Sequence, residues 1–239
     1  MKRRRLAIIP ARGGSKRIPR KNLRDFAGRP MIGYAIALAR ASNLFDHVVV
    51  STDDAEVADV ARRLGADVPF MRPAELADDH TGTVPVVAHA VQACADLGWT
   101  ADAVCCIYPS VPLLSPSVLK AGCDLLERGD SPYVFPVLAF RSPIQRALRR
   151  DASGRIQPLF PEFAQTRTQD LPAAFHDAGQ FYWGRARAWL HGLALHAHAS
   201  TLVLRDDEAV DIDTPEDWSR AEALYLARGT AGAPGSPQP

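Results

Sequence analysis

The sequence predicts an α/β domain with a mostly parallel sheet and helices on both faces, and three observations carry that expectation. Short apolar runs of strand length alternate with segments of helical period through the first 140 residues or so. Glycines, prolines and cap residues fall at the joins between them. The chain has 239 residues, 47% apolar and 23% charged, enough for one large α/β domain or two small ones of ordinary globular composition.

The elements follow in order. Leu6–Ile9 reads as a strand. Met31–Arg40 carries apolar residues at helical spacing after the turn Gly28-Arg29-Pro30. His47–Ser51 is a strand, Ala55–Leu64 a helix closed by Gly65, and Asp67–Phe70 a short strand. Val84–Leu97 is a helix closed by Gly98, and Ala103–Tyr108 a buried strand. Ser115 is an N-cap with Pro116 at the first helical position, and that helix ends near Gly129. Tyr133–Phe140 is the next strand. From Arg141 to Ala174 the alternation stops; this Arg-, Gln- and Pro-rich stretch reads as an arm. Strand character returns at Gln180–Trp183 and Thr201–Leu204. The last helix opens at Thr214, with Asp217 as a capping-box-like partner, and runs to about Arg228. Residues 229–239, rich in Gly, Pro, Ala and Ser, read as a disordered tail. No internal repeat is present.

Composition narrows the function classes. No apolar run is long enough to span a membrane. The Lys-Arg start is followed by only Leu6–Ile9 before Pro10 and Arg12, too short for a signal peptide, so the expected location is the cytoplasm. Four cysteines, two of them adjacent at Cys105-Cys106 in an apolar strand, read as buried thiols rather than a disulfide frame. His196 and His198 lack the Cys or carboxylate company of a metal site.

The stretch after the first strand is the most informative. Between residues 2 and 24 there are ten Lys and Arg and no Asp or Glu, in a chain of net charge +1. Lys2–Arg5 reads as a solvated basic start. The loop from Arg12 to Asn22 reads as a phosphate site. Gly13 and Gly14 let the backbone approach a ligand and turn amides toward it, and Arg12, Lys16 and Lys21 can neutralise several phosphate charges. A nucleoside triphosphate fits. Neither the Walker A order nor G-x-G-x-x-G is present. Ligands of such sheets bind at the carboxyl ends of strands, where this loop, Ser51–Asp54 and Tyr108-Pro109 all fall. Asp211 and Asp213, at i and i+2, share one face if the segment is extended. Two roles are open to them: an Mg²⁺ site completed by water and substrate phosphates, or support of the following helix N-terminus by Asp213. Asp54 reads as the cap of the helix at Ala55.

Together these residues resemble the CMP-sugar synthetases that activate nine-carbon acidic sugars, the CMP-sialate or acylneuraminate cytidylyltransferase family. Ile9–Lys16 with Lys21-Asn22 is similar to the family's CTP-binding loop. Val50–Asp53, Arg72–Leu76, Arg167–Leu171 and Asp211–Asp217 match in order, and the likeness spans residues 6 to about 228. Cys105–Tyr108, Pro143–Ala147 and His176–Trp183 look like the family's pseudaminate branch. Tyr108 and the Ala178-Gly179-Gln180-Phe181-Tyr182 run depart from the neuraminate branch.

The resemblance implies a single nucleotide-diphospho-sugar-transferase-like (Rossmann-like) domain over residues 1–228, with residues 137–175 as an arm that dimerises and completes the sugar site. It implies CTP and a nine-carbon acidic sugar as substrates, Mg²⁺ as cofactor and a homodimer, with neither nucleic acid nor membrane as partner. Arg12, Gly13, Ser15, Lys16, Lys21, Asn22, Arg72, Thr81 and Thr83 would bind CTP. Tyr108, Arg167, Gln169, Gln180 and Tyr182 would hold the sugar, and Asp211 and Asp213 the metal. Arg12, Lys16, Lys21 and Asp213 would carry the catalysis. A synthetase for legionaminate, neuraminate or an eight-carbon ulosonate is the neighbouring reading. A non-catalytic nucleotide- or RNA-binding module would leave the aspartates without a role.

Overall fold

The computed structural model describes residues 3–231. Strand β1 (Arg5–Pro10) leads through the basic loop to a two-strand ribbon, β2 (Asp25–Phe26) and β3 (Arg29–Pro30), turning on Ala27 and Gly28 in left-handed conformations. Helix α1 (Ile32–Ser42), strand β4 (His47–Ser51), helix α2 (Ala55–Arg63), helix α3 (Thr83–Asp96), strand β5 (Ala103–Ile107), helix α4 (Pro116–Arg128) and strand β6 (Tyr133–Ala139) follow. The arm contributes a small hairpin, β7 (Leu148–Arg150) and β8 (Ile156–Pro158), and single 3₁₀ turns. Strands β9 (Phe175–Asp177) and β10 (Phe181–Arg185), helix α5 (Ala186–Leu190), strand β11 (Ser200–Leu204) and helix α6 (Pro215–Ala231) complete the chain.

The central sheet has the order β11–β6–β10–β5–β1–β4, with β9 also pairing along β6. β4, β1, β5, β6 and β11 share one direction, while β10 and β9 run against them, so the sheet is mostly parallel, as expected. Alternation along the strands sorts side chains to two cores. Ala7, Ile9, Cys105 and Ile107 join α1, α2 and α4 on one face. Leu6, Ile8, Val104 and Cys106 join α3 and α5 on the other. The four cysteines are buried and free. Among the described residues no helix is long and apolar enough to cross a membrane.

Local signals predicted most joins. Asp54 caps α2 by accepting the Val57 amide at 3.0 Å. Ser115 caps α4, whose first position is Pro116. Thr214 and Asp217 form the reciprocal box that opens α6: the Thr214 amide donates to Asp217 Oδ2 (2.9 Å) and the Asp217 amide to Thr214 Oγ1 (3.2 Å).

Two expectations need correction. Asp67–Phe70 is not a strand: only Asp67 bridges to Val49, because Pro69 has no amide to continue the ladder. Gly229 does not end α6, which continues to Ala231; the rest of the expected tail, residues 232–239, lies outside the described residues.

A third, smaller core positions the site. Ile18 from the basic loop, Phe26 and Met31 pack with Ile212 and with Trp218 of α6. Phe26 meets Tyr34 and Trp218 edge-on at 5.4 and 5.3 Å. The loop and the Asp211–Asp213 segment therefore share one hydrophobic anchor, which fixes cations against carboxylates.

A cation-lined cavity at the carboxyl ends of the strands

The carboxyl ends of β1 and β5 open into a cavity of about 680 Å³. Arg12, Ser15, Lys16, Lys21 and Asn22 line it from the basic loop. Arg72, Thr81, Thr83 and Tyr108 form further wall, and Asp211 and Asp213 complete the lining. Eleven of the residues expected from sequence thus meet in one place, although they span more than 200 positions.

The loop differs from expectation in one respect. The Gly13 amide is spent on Asp53 Oδ1 (3.0 Å), and neither Gly13 nor Gly14 lines the cavity. A Cβ at Gly13 would run into the Asp54 carboxylate, so Gly13 serves the close packing of loop against α2. Arg20, in the left-handed region, clamps that packing by binding Asp54 and Glu56. Its bond is the main reason the Asp54 carboxyl is held below the usual range.

Lys21 is the most enclosed loop cation. Its ammonium donates to the Ile212 carbonyl (2.6 Å) and lies 3.6 Å from Asp213 Oδ1, with 19% of the side chain exposed. Burial lowers its pKa, opposed by Asp213 and Asp211. Asp213 also pairs with Arg17 at 2.9 Å. Asp211 lines the cavity, exposed to solvent there but crowded by surrounding protein atoms. Desolvation by those atoms, then the nearby Asp213 charge, pushes its carboxyl up to about 6. Two crowded carboxylates, one reluctant to ionise, want a cation. Among the described residues no three or more His, Cys, Asp or Glu gather as a metal cage. Mg²⁺ characteristically takes one or two carboxylates and fills its shell with water and substrate phosphates, so the donor set fits that ion.

The remaining walls are polar, with Arg72 and Asn22 buried and Thr81, Thr83 and Tyr108 half-buried. Arg72 is 7% exposed, and its guanidinium donates from Nε to Ser51 Oγ (3.1 Å) and from Nη2 to the Ser51 carbonyl. Asn22 donates its amide to the Arg12 carbonyl (2.9 Å), and its buried Oδ1 has no partner within the protein, leaving an acceptor for a ligand. Thr83 Oγ1 and Tyr108 OH are 2.7 Å apart. Burial pushes the Tyr108 hydroxyl up to about 12, so it stays protonated. Thr81 holds the turn before α3, its Oγ1 donating to the Glu75 carbonyl and its amide to Asp78 Oδ1.

The other expected sugar contacts are not brought to the cavity within one chain. Gln180 is 1% exposed, and its amide donates to the carbonyls of Ala178, Gly179 and Val210. Tyr182 stands behind Tyr108, its ring edge-on at 5.4 Å and its hydroxyl donating to Asp177 Oδ2 (2.9 Å). His196 also meets Asp177. Arg167 and Gln169 are exposed on the arm, where Arg167 pairs with Asp170. Sequence reasoning missed Arg17, Asp79 and Ser110 in the lining. Arg17 was visible as a loop cation; Asp79 and Ser110 gave no local signal.

Gly179 is a backbone position on which the carboxylate pair depends. Its φ is +61°, and a Cβ there would lie 2.9 Å from Asp211 Cγ and Oδ2. Gly179→Ala is expected to displace Asp211 and cut kcat by about ten-fold or more, since sub-ångström misplacement at a reacting centre is costly. Steady-state kinetics beside a melting curve would check this; an unchanged kcat would remove the constraint.

Phosphate-seeking cations set against a carboxylate pair at the carboxyl edge of a mostly parallel sheet define a nucleotidyltransferase-type enzyme. Residues 6–228 match the family described as Cytidylyltransferase, and the chain belongs to that family. A pseudaminic acid cytidylyltransferase of Campylobacter jejuni is 41% identical over 221 residues, covering 92% of this chain and 95% of that protein. A CMP-N,N'-diacetyllegionaminic acid synthase of Legionella pneumophila is 29% identical over 223 residues, covering 92% and 95%. Among solved structures, a CMP:2-keto-3-deoxy-manno-octonic acid synthetase complexed with CTP superposes with a TM-score of 0.69 at 18% identity, covering 94% of this chain and 99% of that one, a likeness of fold. The resemblance read from the motifs is thus matched along nearly the whole chain.

Proposed function

We propose that this protein joins CTP and pseudaminic acid to give CMP-pseudaminic acid and pyrophosphate. One observation carries the reading: a chain 41% identical over 92% of its length to a pseudaminic acid cytidylyltransferase gathers its loop cations and its carboxylate pair in one cavity. The anomeric hydroxyl of the sugar attacks the α-phosphorus. A new P–O bond forms, the bond to pyrophosphate breaks, and the hydroxyl proton passes to solvent. Arg12, Ser15 and Lys16 grip the triphosphate from the open side of the cavity. Lys21, beneath them, meets charge that grows on the leaving group. Asn22, Arg72, Thr81 and Thr83 surround the nucleoside. Asp211 and Asp213 would hold Mg²⁺, which supplies charge neutralisation and Lewis acidity when bound. Tyr108 presents a protonated hydroxyl to the sugar side, with the Tyr182 ring packed against it and the Tyr108 backbone amide donating to the Gln180 carbonyl (2.9 Å).

Residues 1–228 act as one catalytic domain in this reading, in the cytoplasm, where CTP is available. The arm leaves Phe140, Leu148, Ile156, Leu159 and Phe175 exposed, which supports its use as a homodimer surface. Arg167 and Gln169 would then reach the sugar in the partner's site. Pyrophosphate release with CTP and Mg²⁺ tests the assignment on a panel of pseudaminic, legionaminic, neuraminic and eight-carbon ulosonic acids. Selective release with pseudaminic acid is expected. Preference for legionaminic acid would favour the second reading, which the Legionella relative supports.

A further inference from the structure

Asp79 alone neutralises two of the cavity's cations from within the chain, beside the two that meet Asp213. Asp79 sits in the turn between Leu76 and α3 and lines the cavity itself. Its Oδ1 lies 2.7 Å from Arg12 Nη1 and its Oδ2 binds Lys16 Nζ. The carboxylate thus spans two cations with two oxygens, as a phosphoryl group would. Arg12 Nη1 donates to the Asp78 carbonyl as well (2.9 Å), so the turn closes over the cation. Lys16, then Arg12, hold the Asp79 carboxyl below the usual range, and it is ionised at neutral pH. Asp78 plays a separate part, since its Oδ1 accepts the amides of His80 (3.0 Å) and Thr81 (2.6 Å) and fixes the turn that presents Asp79.

An incoming phosphate cannot use Arg12 and Lys16 while Asp79 holds them. We propose that Asp79 is an internal counter-anion that sets which anions the cavity accepts. A single phosphate offers little more than the carboxylate it must displace. A polyphosphate chain reaches on to Arg17 and Lys21, which share the single carboxylate of Asp213 at 2.9 and 3.6 Å, and those added contacts displace Asp79. When pyrophosphate departs, Asp79 returns to the cations and opposes rebinding. This rests on the reading of the cavity as a triphosphate site, and it makes Asp79 a specificity-determining residue for chain length and product escape.

Calorimetric titration of the full chain with inorganic pyrophosphate and with inorganic phosphate tests the idea in Asp79→Asn and Asp78→Asn. Both variants remove one negative charge from the same turn. Asp78→Asn keeps the Oδ1 acceptor and leaves the two ion pairs intact, so it reports the general field alone. Asp79→Asn is expected to bind pyrophosphate roughly ten-fold more tightly than the unsubstituted protein, the scale of two partly exposed ion pairs. It should also be inhibited by pyrophosphate at about ten-fold lower concentration. Asp78→Asn is expected to stay within about two-fold. Pyrophosphate affinity in Asp79→Asn that is unchanged, undetectable, or matched by Asp78→Asn would overturn the proposal. CTP turnover by the unsubstituted protein separates the two claims: if it stands while the affinities do not move, only the counter-anion fails.

Discussion

Asp213→Ala is expected to lower kcat by at least about 10²-fold, the scale of losing a preorganised charge contact at a reacting centre, with little change in fold. The backbone reason is specific. The Asp213 amide is held by Asp217 Oδ2 (3.2 Å), and the Thr214–Asp217 box closes the turn without the Asp213 side chain. What the substitution removes is a carboxylate that meets Arg17 and Lys21 and crowds Asp211. Kinetics of CMP-sugar formation beside a melting curve give the answer. Turnover within two-fold of the unsubstituted protein would remove Asp213 from the catalytic machinery.

The same pair dictates a pH dependence. With its carboxyl raised to about 6, the folded chain binds more protons at Asp211 than the unfolded chain does between about pH 4 and pH 6. Stability from this group is therefore fully present at acid pH and declines as pH rises through that window. Asp211→Asn, which cannot ionise, should melt higher than the unsubstituted protein at pH 7.5 and near it at pH 4, while losing turnover. Asp213→Ala should shrink the same effect by removing a like charge. In the unsubstituted enzyme a proton on Asp211 competes with a cation, so the Mg²⁺ concentration needed for half-maximal turnover should rise as pH drops below about 6.

Where function-bearing residues were legible in the sequence, the signal was local. The basic loop, the Ser115 and Thr214 caps and the His47–Ser51 strand each announce themselves within a few residues, and the structure holds them where expected. Illegible features depend on partners far along the chain. Nothing within Phe181–Arg185 tells that β10 enters between β5 and β6 and runs against both. The Gly13 amide was free to meet a ligand until Asp53, 40 residues on, took it. Asp79 is one of two adjacent acids in a turn, and its pairing with Arg12 and Lys16 spans more than 60 residues. Gln180 has the chemistry of a ligand contact, yet burial forced its amide onto three carbonyls.

Lys21→Ala is expected to lower kcat/KM by about 10²-fold and stability by about 1–3 kcal/mol, because this one ammonium serves both binding and structure. It is a loop residue by sequence, but its bond to the Ile212 carbonyl ties the loop to the carboxylate segment 191 residues later. Removing it leaves that carbonyl without its donor and deprives Asp211 and Asp213 of a neighbouring cation, so the Asp211 carboxyl should rise further. Lys21→Met separates the two roles. The methionine stem refills the space beside Ile212, so part of the stability should return, whereas kcat/KM should not. A methionine variant with normal turnover would show that Lys21 packs the site without meeting charge in the reaction. The lowered Lys21 pKa adds an alkaline signature: turnover should decline at a pH below the ordinary lysine range, and the limb should vanish in Lys21→Met.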